Sequence, residues 1–136
     1  MEKLRRVILV DDNDIVRELM GAMLRRDGFS VEAAASGYDA LLIAERDERV
    51  DLLVTDVYMP GMDGLELADR LLELHPEASV LYTSGHADER ILAPGTVPAG
   101  AAFLPKPFTM ADLVRAANDV FAATAVLRGH PAAVAV

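Results

Sequence analysis

The feature that most limits how this chain can fold is a short apolar run with no polar residue inside it. Val7-Ile8-Leu9-Val10 ends abruptly in Asp11-Asp12. A strand with one wet face alternates apolar and polar residues, whereas an unbroken β-branched run belongs to a strand covered on both faces, as parallel sheets require. Leu52-Leu53-Val54-Thr55 repeats the pattern and stops at Asp56. Ser79 to Thr83 and Ala101 to Leu104 supply two further strands, and Ser30 to Ala34 a weaker one because of its alanines. Between them lie helical stretches. Asp14 to Arg26 places Ile15, Leu19, Met23 and Leu24 at helical spacing and stops at Gly28. Ser36 caps a helix running to about Arg49, with Ala40, Leu41 and Ala44 on one face. Leu65 to His75 is a helix halted by Pro76, and Met110 to Leu127 is the last helix.

Strands alternating with helices, joined by connections long enough for a crossover, predict a doubly wound parallel sheet with helices on both faces. Five strands in 136 residues fit the flavodoxin-like order 2-1-3-4-5. The segment from Asp88 to Ala99 has room for one more helix, but Pro94, Gly95 and Pro98 restrict it to something short or irregular around Ile91 and Leu92. One domain over residues 1–128 with a flexible tail over 129–136 is the expected organisation.

Composition narrows the class. A net charge of −9 argues against gripping nucleic acid or anionic lipid by bulk electrostatics. There is no cysteine, hence no disulfide framework and no thiolate metal site, which suits a cytoplasmic protein. No apolar stretch is long enough to span a membrane. His75, His86 and His130 are scattered without metal-ligand spacing, so zinc finds no site. Arg5-Arg6 reads as a solvated strand edge and Glu45 to Arg49 as a solvated helix end.

In such a fold the strand ends share one rim. Asp11, Asp12 and Asp56 then meet at the switch point of the strand order, with Ser84 and Lys106 on the same rim. Three carboxylates repel one another and call for a hard cation; oxygen donors without His or Cys suit Mg²⁺, with Mn²⁺ as the alternative. A lysine and a hydroxyl complete a site for a phosphoryl group, which a carboxylate can accept as an acyl phosphate.

The stretches Val7 to Asp12, Asp51 to Asp56 followed by Met59-Pro60-Gly61-Met62-Asp63-Gly64, Ser84-Gly85, and Phe103-Leu104-Pro105-Lys106-Pro107-Phe108 together resemble response-regulator receiver domains over about residues 5–127. The form of the segment from Ile91 to Gly95 and on to Thr109 is most like receivers attached to hybrid sensor kinases, so the chain either stands alone or is part of a larger sensor. The resemblance implies that Asp56 is the phosphoacceptor and that Asp11, Asp12, Asp56 and the backbone carbonyl of Tyr58 hold Mg²⁺. It implies that Lys106 binds the phosphoryl group, that Ser84, before the small Gly85, is the switch hydroxyl, and that Phe103 turns inward on activation. Thr83 is the rival hydroxyl; Ser84 is preferred for its spacing to Lys106. Lacking a hydroxyl, the Phe103 ring is expected to favour a buried position. Tyr58 and His86 flank the approach of the hydrolytic water and are expected to tune dephosphorylation.

The implied function is a phosphorelay module. It accepts a phosphoryl group from a sensor histidine kinase or a histidine phosphotransfer protein and acts on a downstream protein. Its own chemistry is limited to self-phosphorylation and self-dephosphorylation. It touches neither nucleic acid nor membrane and is expected to be a monomer or weak dimer, since the broken segment after β-strand four spoils one dimer face. The competing reading, an aspartyl-phosphate phosphatase of the haloacid dehalogenase type, needs a second Asp two positions after the nucleophile, where this chain has Tyr58.

Overall fold

In the structure, a computed structural model that describes residues 4–85 and 97–127, nine elements follow in the order β1 (Arg6–Val10), α1 (Asp14–Arg26), β2 (Ser30–Ala34), α2 (Gly37–Arg46), β3 (Leu52–Asp56), α3 (Gly64–Leu74), β4 (Ser79–Ser84), β5 (Ala102–Pro105) and α4 (Met110–Leu127). The five strands form one parallel sheet in the order β2-β1-β3-β4-β5. This is the doubly wound arrangement that the sequence predicts. The expected short helix bearing Ile91, Leu92, Pro94 and Gly95 lies outside the described residues, as do His86 and the expected tail over 129–136.

Both faces of the central strands are covered, which is why their sequences are apolar without alternation. Ile8, Val10, Leu53, Val80 and Tyr82 pack with Ala40 and Ala44 of α2 and Leu67, Ala68 and Leu71 of α3. Val7, Leu9, Leu52, Val54 and Leu81 pack on the other face with Met20 and Leu24 of α1 and Leu113, Ala117 and Val120 of α4. Each such Leu, fully buried, is worth about 2–3 kcal/mol of hydrophobic transfer.

Helix starts follow local chemistry. Asn13, Ser36 and Asp63 accept the backbone N–H three residues on, from Val16, Asp39 and Glu66. Thr109 and Asp112 form a reciprocal capping pair at α4, and the bonds from Thr109 hold the Asp112 carboxyl below its ordinary value.

Three expectations need correction. The buried stripe of α1 runs through Met20, Gly21 and Leu24, while Ile15 and Leu19 face outward. The second helix ends at Arg46 rather than about Arg49, because Asp47 turns back into an extended conformation. Arg6 is no solvated edge. Its guanidinium bonds Asp47, Ser30 and Glu32 at 3.0, 3.1 and 2.6 Å. Burial opposes that charge, but the bonds to Glu32 and Asp47 outweigh it and hold the pKa above the ordinary arginine value. Arg5 in turn lies over the Phe121 ring at 4.0 Å. Arg6→Ala is expected to lower the unfolding free energy by about 1–3 kcal/mol, because it leaves half-buried acceptors unpaired. A urea titration measures this, and an unchanged midpoint would show the network to be neutral.

Candidate functional site

The sheet register sets the site. In parallel strands residues alternate between faces, so partners in register share a face. Val10 pairs with Thr55 across β1 and β3, which places Asp11 beside Asp56 one step on. Asp56 pairs with Thr83 across β3 and β4, and Thr83 pairs with Leu104 across β4 and β5. Asp11, Asp56 and Thr83 therefore form one row across the carboxyl ends of three adjacent strands. Lys106, two residues beyond Leu104, reaches back over that row.

Its ammonium donates to Asp11 Oδ2 at 2.9 Å and to Asp56 Oδ2 at 3.1 Å. Burial alone would disfavour the charged lysine, but the bonds to Asp11 and Asp56 win, and the pKa rises above the ordinary value. Asp11 is buried and Asp12 exposed, and carboxylate oxygens of Asp11, Asp12 and Asp56 all lie within 4.8 Å of one another. This oxygen-only set fits a hard divalent cation, and the exposure of Asp12 leaves room for the waters such a cation retains.

The loops hold these groups in place. Asp11 Oδ1 accepts the Asn13 N–H at 2.9 Å, and Asp56 Oδ1 accepts the Tyr58 N–H at 3.2 Å. The Lys106 N–H donates to the Ser84 carbonyl at 2.8 Å, tying the β5 loop to the end of β4. The Lys106-Pro107 peptide bond is cis. Arg17, which the sequence reading passed over, donates to the Asp11 carbonyl at 2.8 Å and pairs with Asp14 at 2.6 Å. Its position in α1, six residues after Asp11, was the available signal.

The remaining expected residues are distributed as follows. Ser84 is buried at the end of β4 on the face of Tyr82, opposite to that of Asp56 and Thr83, and Gly85 is exposed beside it. Tyr58 is half exposed at the rim. Phe103 is 37% exposed. It sits on β5, the last strand of the sheet.

The family model for the response regulator receiver domain matches residues 7–118. The chain is 38% identical over 117 residues to the sensor kinase CckA of Brucella abortus, covering 84% of this chain and 12% of the kinase. It is 33% identical over 114 residues to the response regulator receiver protein CpdR of the same organism, covering 82% of this chain and 92% of CpdR. Among solved structures, the receiver domain of the hybrid histidine kinase CckA superposes with a TM-score of 0.64 at 34% identity, covering 85% of this chain and 98% of that one. With its row of carboxylates and lysine on a 2-1-3-4-5 sheet, this chain belongs to the response regulator receiver domain family of two-component signalling.

Proposed function

We propose that Asp56 is the phosphoacceptor of this receiver. The observation that carries the reading is the cluster of three carboxylates capped by one lysine that bridges two of them. In the reaction, a carboxylate oxygen of Asp56 bonds to phosphorus as the nitrogen–phosphorus bond of a phosphohistidine breaks, and the imidazole leaves with the electron pair. Lys106 places positive charge where the transferring oxygens pass. Asp11, Asp12 and Asp56, with the Tyr58 carbonyl, would hold Mg²⁺ or Mn²⁺. Such a cation supplies charge neutralisation for the phosphoryl oxygens. Ser84 follows the phosphoryl group as the switch hydroxyl and Phe103 responds. Tyr58, half exposed at the rim, crowds the hydrolytic water.

The donor is a sensor histidine kinase or a histidine phosphotransfer protein, and the readout is binding of a downstream protein. Ile15 and Leu19, exposed one turn apart on α1 beside the acidic rim, offer an apolar face for the donor. The absence of cysteine supports a cytoplasmic setting, and no helix among the described residues is long and apolar enough to cross a membrane.

The test is intact mass after incubation with acetyl phosphate. One added phosphoryl group is expected with Mg²⁺, and none in excess EDTA or in Asp56→Asn. Equal labelling of that variant would refute the assignment.

A further inference from the structure

Thr83 carries a hydroxyl that the mechanism above does not use. It is 1% exposed, and its Oγ1 has no hydrogen-bond partner. A buried hydroxyl without a partner costs free energy that a valine of the same shape would avoid. Its place in the sheet is equally specific. Thr83 is the register partner of Asp56, so the two side chains stand on neighbouring strands about 4.8 Å apart and on the same face. Ser84, next in sequence, points to the opposite face, that of Tyr82.

Neither oxygen of the free Asp56 carboxylate is bonded to the Thr83 hydroxyl. One oxygen accepts from Tyr58 N–H and the other from Lys106. A phosphoryl group on Asp56 changes the balance of donors and acceptors, because it brings three strongly accepting oxygens to this end of the row. We propose that Thr83 is a second phosphoryl-binding hydroxyl, which lacks an acceptor beside free Asp56 and gains one when Asp56 is phosphorylated. A contact made in only one of two states shifts the equilibrium towards that state. Thr83 therefore favours the phosphorylated form, from the same face as the acceptor, whereas Ser84 must swing across from the other. The inference rests on the assignment of Asp56 as phosphoacceptor.

The experiment compares wild type, Thr83→Val and Thr83→Ser for beryllofluoride affinity in the presence of Mg²⁺ by calorimetry, with thermal melts of each without beryllofluoride. Thr83→Val removes the hydroxyl and keeps the shape. It should melt higher than wild type without the ligand and bind beryllofluoride about tenfold more weakly, the worth of one hydrogen bond. Thr83→Ser keeps the hydroxyl and should bind within about twofold of wild type on the same scale. Wild-type affinity in Thr83→Val would overturn the inference and leave Asp56 as acceptor. So would an equal loss in both variants, since the hydroxyl would then not be the cause. Failure of wild type itself to bind beryllofluoride would overturn the parent assignment as well.

Discussion

Replacing Lys106 with alanine is expected to change two properties in opposite directions: divalent cations bind more tightly, and phosphorylation nearly stops. The ammonium of Lys106 already occupies the mouth of the carboxylate cluster, bonded to Asp11 and Asp56. A cation that enters must share those oxygens with it. Without the lysine the field of three carboxylates is unrelieved, and Mg²⁺ affinity should rise by about tenfold, some 1.4 kcal/mol. Transfer from acetyl phosphate should nonetheless slow by about a hundredfold or more, the usual loss when a preorganised charge at a developing oxyanion is removed. Without Mg²⁺ the variant should also be less stable by about 3 kcal/mol, because buried Asp11 loses its counter-ion. Saturating Mg²⁺ should restore much of that, by about 2.7 kcal/mol at a hundred times the dissociation constant.

The pH dependence follows from the direction of the lysine shift. A group whose pKa is raised by folding contributes fully below its unfolded value, here near 10.5, and loses that contribution as pH rises through the higher folded value. The lysine therefore keeps its charge well above neutral pH, and on the alkaline side the difference between wild type and Lys106→Ala should shrink only in strong alkali. Magnesium titration by calorimetry and urea denaturation with and without the metal check these points. Weaker Mg²⁺ binding in the variant would show that Lys106 organises the acidic cluster rather than competing within it.

Gly64→Ala is expected to be the most damaging change of a single methyl group among the described glycines. Gly64 opens α3, and its N–H donates to the Val57 carbonyl at 2.9 Å, so the helix start is tied to the end of β3. A β-carbon there would collide with the Asp56 carbonyl oxygen, and it would stand 3.0 Å from the Asp56 carbonyl carbon and 3.1 Å from the Val57 Cα. All three are backbone atoms, which cannot rotate away as a side chain can. Either α3 shifts outward or the end of β3 moves, and the second displaces the proposed acceptor. The expected cost is about 3 kcal/mol, the upper part of the usual overpacking penalty, with phosphorylation by acetyl phosphate falling as well. Gly28→Ala is the control. Gly28 has φ of 97° and no atom within 4 Å of an added β-carbon, so only backbone strain of about 1–2 kcal/mol applies. Equal urea midpoints for the two variants would show that the close approach at Gly64 relaxes freely.

Much of this molecule is written locally. Val7 to Val10 and Leu52 to Thr55 are apolar throughout because both sheet faces are covered, and a parallel sheet is the arrangement that covers them. In the flavodoxin-like order that five strands alternating with helices suggest, Asp11, Asp12 and Asp56 meet where the order reverses. Caps at Asn13, Ser36 and Asp63 act within three residues, so the helix starts were equally legible.

Only the tertiary structure decided the rest, because the deciding partners are distant in the chain. Ile15 and Leu19 form as good an apolar stripe on α1 as Met20 and Leu24, and the packing of α1 beside α4 and β2 selects the second. A charge such as Arg6 reads as solvated until β1, lying between β2 and β3, brings Glu32 and Asp47 to it. Phe103 has the composition of a core residue, yet its strand is the last in the sheet and the ring stays partly exposed. Lys106 meets Asp11 across 95 residues of sequence. The faces taken by Thr83 and Ser84 follow from strand register, which no stretch of sequence specifies alone: moving the pairing of β3 and β4 by one residue would exchange the two hydroxyls beside Asp56.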